Sequence, residues 1–204
     1  MKQSIKKIIQ SRIESGRPGQ VYFAKDFTDV ANNEQVRLAL SRLVKEKLIT
    51  RLGHGIYAVE QVHPVMGKIQ PAYEEIAQAI ADRDQITIKP TGAYALNRLG
   101  LSTQVPTKIV YMTNGQSRKI RLGKNTICFK KTTQKKMAYK GYISPLIIQA
   151  IEELGKDGIK PEMMLRLTKI LAGEDFETLD ENLKLAPNWV AETITKMKRS
   201  IHHV

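Results

Sequence analysis

The stretch from Asn33 to Val59 constrains the fold of this chain more than any other part of it. In its first half, apolar residues recur every three or four positions and would line one side of a helix: Val36, Ala39, Leu40 and Leu43. Its second half is rich in β-compatible residues and is interrupted by Gly53-His54-Gly55, whose glycines suit the positive φ angles of a tight hairpin. A helix followed at once by a hairpin predicts a winged helix, in which the hairpin is the wing.

The opposite side of the predicted helix is polar and largely cationic, as a surface that meets DNA would be. We predict DNA contacts from six residues of the helix and the wing: Arg37, Ser41, Arg42, Lys45, Arg51 and His54. The first three would meet base edges in the major groove, and the last three would mainly meet phosphates. Leu38 lies on the same side and could contact a thymine methyl group, but it is expected to pack on the short second helix. The alternative is an ordinary amphipathic surface helix whose charges are solvated.

The residues before Asn33 predict the elements that support such a helix. Residues 4–15 have helical apolar spacing and begin at Ser4, which can cap the first turn. A short strand is predicted at Val21–Phe23, and a short helix from Lys25 to Val30. The resulting order of helix, strand, helix, helix and hairpin is that of a winged helix-turn-helix.

The length of 204 residues is enough for two small domains. The proline and glycine content of the segment after the wing indicates a linker, which places the boundary near Gly67. We therefore predict an α+β protein with an N-terminal winged helix-turn-helix, residues 1–66, and a mixed α/β domain that ends in helices, residues 67–204.

The second domain is predicted to alternate helices and strands before it becomes helical. The predicted helices are Tyr73–Asp84, Thr91–Leu99 with Thr91 as its cap, Ile143–Leu154, Lys160–Leu171, Phe176–Leu183 and Trp189–Ile201. The predicted strands are Ile86–Lys89, Lys108–Thr113 and two more that turn at Gly123-Lys124-Asn125.

The net charge of +13 is concentrated in the middle of the chain. No acidic residue lies between Asp84 and Glu152, an interval that holds twelve lysines and arginines. Such a field attracts polyanions, or alternatively an acidic protein. The possible second basic surface consists of Arg98, Arg118, Lys119, Arg121, Lys130 and Lys131. Tyr111 and Phe129 lie among these cations, where aromatic rings could stack on single-stranded bases, although core packing is the simpler role for Phe129.

The residue types of a catalytic centre are sparse. The four histidines are His54, His63, His202 and His203, and none has a plausible nucleophile beside it in the sequence. No phosphate-binding loop or metal-binding helix motif is present, and the single Cys128 is expected to pack in a strand. We expect no enzymatic activity, no cofactor and no metal. The chain also lacks a long apolar run and a secretory signal pattern, which predicts a cytoplasmic protein without a membrane partner.

Several of these segments together resemble the AbiEi-like antitoxin family of bacterial abortive-infection and toxin–antitoxin systems. The resemblance covers roughly residues 1–140, and the segments that carry it are Leu40-Ser41-Arg42-Leu43, the wing phrase from Ile49 to Tyr57, Lys89 to Ala95, and Leu99 to Pro106. It implies a winged helix that binds operator DNA and represses its own operon, together with a second domain for antitoxin activity. It also implies a nucleotidyltransferase-like toxin encoded nearby, which need not be bound directly.

The sequence thus predicts a non-enzymatic, sequence-specific transcriptional regulator of double-stranded operator DNA, of the antitoxin autorepressor type. The competing hypothesis is an interaction protein whose basic second domain binds an acidic toxin or RNA.

Overall fold

The structure, a computed structural model, describes residues 4–59, 61–63, 65, 67–103 and 108–201. It contains both helices and strands, so the predicted α+β class is confirmed at that level. The helices are α1 (Ile5–Glu14), α2 (Asn33–Lys45), α3 (Tyr73–Arg83), α4 (Gly92–Arg98), α5 (Gln134–Met137), α6 (Ile143–Leu154), α7 (Pro161–Leu171), α8 (Phe176–Leu185) and α9 (Asn188–Ile201). The strands are β1 (Val21–Phe23), β2 (Thr50–Gly53), β3 (Ile56–Ala58), β4 (Gln61–His63), β5 (Gly67–Ile69), β6 (Ile88–Pro90), β7 (Lys108–Thr113), β8 (Arg118–Leu122) and β9 (Asn125–Lys131).

Packing divides the described residues into two compact units. The first unit contains the described residues up to Asp84 and also Ile120–Thr126, and the second contains Gln85–Lys119 and the described residues from Ile127 onward. The turn of the β8–β9 hairpin therefore belongs to the first unit. This division differs from the predicted domains, 1–66 and 67–204, which stay a prediction about independently folding parts of the chain.

The first unit is built around the apolar side of α2. Val36, Leu40 and Leu43 are buried against a core that includes Ile9 and Ile13 of α1. The helix begins after Asn32, whose side-chain oxygen accepts a hydrogen bond from the Gln35 backbone N–H at 3.0 Å. Because this bond satisfies one of the free amides of the first turn, it fixes where α2 starts.

Two segments of the first unit differ from the sequence prediction. The helix predicted from Lys25 to Val30 is instead a 3-10 turn over Ala24–Phe27, because the Asp26 carboxylate accepts the Phe23 backbone N–H at 2.7 Å and closes a tight turn. The predicted linker contains the antiparallel pair β4 and β5, in which Gly67 adopts a φ of 71°. A positive φ is open to glycine and lets the chain reverse there.

The predicted hairpin is present as β2 and β3. Its register pairs Arg51 with Tyr57 and Gly53 with Ile56, so Leu52 is an extra residue in a bulge. On its other side β3 pairs with β1, and Gly53 of β2 pairs with Leu122 of β8. Gly53 is needed for this last contact, because a Cβ there would lie 2.8 Å from the Arg121 carbonyl oxygen and 3.0 Å from Leu122 Cδ2.

The second unit combines helices with β6, β7 and the parts of β8 and β9 outside Ile120–Thr126. In the sheet these strands follow one another in the order β8, β9, β7, β6. Ile127, Cys128 and Phe129 of β9 are buried, and α6 is buried along its whole run from Ser144 to Ile151. Helix α4 begins close to the predicted residue, but Thr91 does not cap it. Its hydroxyl donates instead to the Val110 carbonyl at 2.8 Å, because α4 and β7 lie side by side.

We predict that Gly53→Ala lowers the free energy of unfolding by about 1 to 3 kcal/mol, since the added methyl group would overlap backbone that cannot rotate away. Urea unfolding followed by circular dichroism measures the change. Gly173→Ala is the matched control, because a Cβ there would meet its nearest atom at an ordinary 3.5 Å. Equal stability of Gly53→Ala and the wild type would contradict the close approach of β2 and β8.

Candidate nucleic-acid interface

The side of α2 that points away from the core carries four of the six predicted DNA-contacting residues. Arg37, Ser41, Arg42 and Lys45 are all exposed, whereas Val36, Ala39, Leu40 and Leu43 are buried. A helix of 13 residues is about 20 Å long, and a major groove about 12 Å wide admits a helix. This face therefore has the size and the chemistry of a surface that could enter the groove.

Helix α1 and the 3-10 turn support α2 on the side opposite its polar face. The Arg12 guanidinium makes two hydrogen bonds to the Asp29 carboxylate, at 2.9 and 2.7 Å, and a third to the Asp26 carbonyl at 3.0 Å. The Arg12 guanidinium also holds the pKa of Asp29 below its usual value, through these hydrogen bonds. The Tyr22 hydroxyl donates to the Ile13 carbonyl at 3.3 Å, and burial raises the pKa of Tyr22. These contacts lie on the supporting side and leave the polar face of α2 uncovered.

The remaining two predicted residues lie on the β2–β3 hairpin. Arg51 and His54 are both exposed. The bulge at Leu52 explains why Arg51 is exposed, because the extra residue is buried while Arg51 stays on the solvent side. The Arg51 Nε donates to the Gly53 carbonyl at 3.2 Å, which orients the guanidinium along the strand.

The cations of α2 are not neutralised by carboxylates. Among the ion pairs formed by described residues, none involves Arg37, Arg42 or Lys45. The nearby Glu46 carboxylate is bound by Lys6 at 2.5 Å. The positive charge of this face is therefore available to an anionic partner.

The packing of Leu38 on the short second helix that the sequence predicts does not bury it. It is 53% exposed and lies between the cations of the outward face. An apolar side chain at such a position could contact a thymine methyl group.

The residues of the possible second basic surface are divided between the two units. Arg121 belongs to the first unit, and Arg98, Arg118, Lys119, Lys130 and Lys131 belong to the second. Arg98 contacts the Tyr142 hydroxyl, at 3.3 Å from Nε and 3.1 Å from an NH2 group. The Arg118 guanidinium lies 5.2 Å from the centre of the Phe129 ring.

The aromatic residues near these cations are not available for base stacking. Tyr111 and Phe129 are buried and stack on one another, with ring centres 6.2 Å apart. Tyr94 of α4 is also buried and lies 5.5 Å from the Tyr111 ring. Consecutive residues of β7 and β9 are buried around these rings, so the single-strand stacking interpretation is wrong for them.

The perturbed titratable groups of the second unit have structural causes. Burial lowers the pKa of Lys89, whose ammonium group donates to the Tyr139 carbonyl. Burial, with a smaller contribution from the charge of Glu152, raises the pKa of Tyr139 to about 12. Glu152 itself forms an ion pair with Lys136 at 2.6 Å. Within the described ranges, no three His, Cys, Asp or Glu side chains are grouped so that they could hold a metal ion.

One cation of the first unit, Lys124, is not among the predicted site residues. The turn that contains it was predictable, since Gly123-Lys124-Asn125 follows a strand pattern. The position of this turn beside β2 was not predictable, because the pairing of Gly53 with Leu122 joins residues that are far apart in the chain.

Comparisons with known proteins identify the family. Residues 7–179 match the model of DUF6088, a family of unknown function, and the chain belongs to this family. No curated protein sequence matches. Among solved structures, the chain is similar to the crystal structure of the RV2827C protein from Mycobacterium tuberculosis, with a TM-score of 0.51 and 15% sequence identity over 97% of this chain and 77% of that chain. This similarity concerns the fold alone.

None of the described helices combines the length and the apolar character of a membrane-spanning segment. His202 and His203, and the predicted family segment at Gln104-Val105-Pro106, lie outside the described residues.

We predict that Asn32→Ala lowers the free energy of unfolding by about 0.5 to 2 kcal/mol, because it removes the cap of α2. Asn33→Ala is the matched control: the neighbouring asparagine is exposed and its side chain makes no capping bond. Thermal unfolding of the two variants measures the difference. The same melting temperature in both would mean that the Asn32 side chain does not fix the start of α2.

Proposed function

We propose that this protein is a DNA-binding transcriptional regulator whose first unit is a winged helix, with α2 as the recognition helix and the β2–β3 hairpin as the wing. The observation that carries the proposal is the outward face of α2. It is exposed, its Arg37, Arg42 and Lys45 have no carboxylate partner among the described residues, and it is followed at once by a hairpin with two further exposed basic or donor residues.

The roles of these side chains follow from their chemistry. Arg37, Ser41 and Arg42 face outward within two turns of one helix, where they would donate to base edges. Lys45 at the end of α2, together with Arg51 and His54 on the hairpin, would bind phosphates. Leu38 would supply an apolar contact between them.

The biological role we propose is autorepression in a toxin–antitoxin operon. It is supported by the resemblance of the wing phrase and the segments after Lys89 and Leu99 to AbiEi-like antitoxins. The operator would lie upstream of the protein's own gene, and a nucleotidyltransferase-like toxin would be encoded beside it. The protein would act in the cytoplasm and without a cofactor.

A second function, binding of an acidic toxin or RNA, is favoured by one observation. Lys119, Lys130 and Lys131 of the second unit are exposed, in a part of the chain without acidic residues. A protein partner that co-purifies at high salt, together with no affinity for duplex DNA at moderate salt, would support this function and contradict the first.

We predict that Arg42→Ala weakens binding to the upstream duplex by about 10- to 100-fold, and binding to a random duplex of the same length much less, because a base contact worth about 1 to 3 kcal/mol is lost. Lys45→Ala should weaken binding to both duplexes alike and reduce the slope of log K against log salt by about one. Fluorescence anisotropy titrations at several salt concentrations measure both effects.

Lys184→Ala is the control for these variants, because Lys184 is an exposed lysine on α8 in the second unit. It should bind both duplexes as the wild type does. Wild-type affinity of Arg42→Ala and Lys45→Ala for both duplexes would refute the assignment of α2 as the recognition helix.

A further inference from the structure

The turn of the β8–β9 hairpin lies directly beside the β2–β3 hairpin within the first unit. Gly53 and Leu122 are antiparallel partners. The Arg121 carbonyl oxygen would lie 2.8 Å from a Cβ at position 53, so Arg121 adjoins the residue that precedes His54. The turn with Lys124 lies next to Arg51, and both residues line the same groove of about 550 Å³.

Contacts on both sides hold the β8–β9 turn in place. Leu122 is buried and packs where Gly53 leaves space. On the other side, the Asn125 amide donates to the hydroxyl of Tyr73, the first residue of α3. A turn fastened to a strand and to a helix presents its side chains from a fixed backbone, which reduces the conformational entropy lost on binding.

The side chains that this turn presents are cationic. Arg121 and Lys124 are exposed, and no ion pair between described residues involves either of them. Arg121 Nε lies 3.4 Å from the carbonyl of Gly123, two residues onward, just as Arg51 Nε lies 3.2 Å from that of Gly53. In both arginines this contact uses Nε and leaves the two terminal NH2 groups for other acceptors.

We propose that Arg121 and Lys124, together with Arg51 and His54, form a basic strip that binds the phosphate backbone of the same DNA duplex that α2 contacts. This proposal rests on the proposed function and adds a second, non-local hairpin to the DNA surface. The strip would add affinity that does not depend on the DNA sequence. Its arginine and lysine lie on a strand edge and a turn, where they can meet phosphates but do not match a defined base pattern.

The strip lies close enough to α2 to act on the same stretch of duplex. Strand β2 begins five residues after the end of α2, so the connection spans at most about 17 Å. That distance is roughly half a turn of B-DNA. Along it, each of the two DNA strands presents a phosphate about every 3.4 Å.

The test compares the double variant Arg121→Gln, Lys124→Gln with the wild type. The probe is a fluorescein-labelled random-sequence duplex of about 30 base pairs, roughly three helical turns. Affinity is measured between about 50 and 200 mM salt. Two lost phosphate contacts should reduce the slope of log K against log salt by about 1.8. The control is Lys184→Gln, Lys196→Gln, two exposed lysines of α8 and α9, which changes the net charge equally.

Each outcome of this test either supports or overturns phosphate binding by the strip. A lower slope in the test variant alone supports the strip. A wild-type slope in the test variant, or an equal reduction in the control, overturns it. If Arg42→Ala loses operator affinity while the test variant keeps the wild-type slope, only the strip is refuted and the recognition helix stands. If the wild type binds no duplex at all, the proposed function fails and the strip fails with it.

Discussion

The burial of one side of α2 beneath α1 is the interaction on which the rest of the first unit depends. Val36, Leu40 and Leu43 lie in the core with Ile9 and Ile13, and each fully buried aliphatic side chain contributes about 1.5 to 3 kcal/mol. Because these residues recur at helical spacing, their burial leaves only one orientation of the helix. The cations at the intervening positions must then face solvent, so the same pattern that folds the unit also creates its charged surface.

The second constraint is the absence of a side chain at Gly53. It lets the turn of β8 and β9 approach β2, and it brings residues from the middle of the chain into the first unit. A charge distribution that looks like a basic second domain in the sequence is therefore shared between the two units. Arg121 and Lys124 join the unit that carries α2, while Lys130 and Lys131 stay with the helices that follow.

Much of the fold could be predicted from local patterns. Apolar spacing gave the position of α2 and of the C-terminal helices, and glycine placement gave the β2–β3 hairpin, because these depend on neighbours in the sequence.

The β4–β5 pair was missed because proline and glycine were taken as signs of a linker. The burial of Tyr94 and the 53% exposure of Leu38 depend on which neighbouring element packs there, so local spacing could not predict either of them. The pairing of Gly53 with Leu122 has no local signal at all. The six candidate residues of α2 and the β2–β3 hairpin are exposed, and their role in DNA binding stays a prediction.

Hydrogen–deuterium exchange on the full chain, with and without a duplex taken from upstream of its own gene, tests the central claim most directly. If α2 and the hairpins form the DNA surface, exchange should slow over Asn33–Lys45, the β2–β3 hairpin and the β8–β9 turn, and should stay unchanged over α6 to α9. Protection confined to the C-terminal helices, or none at a duplex concentration that saturates binding, would contradict it.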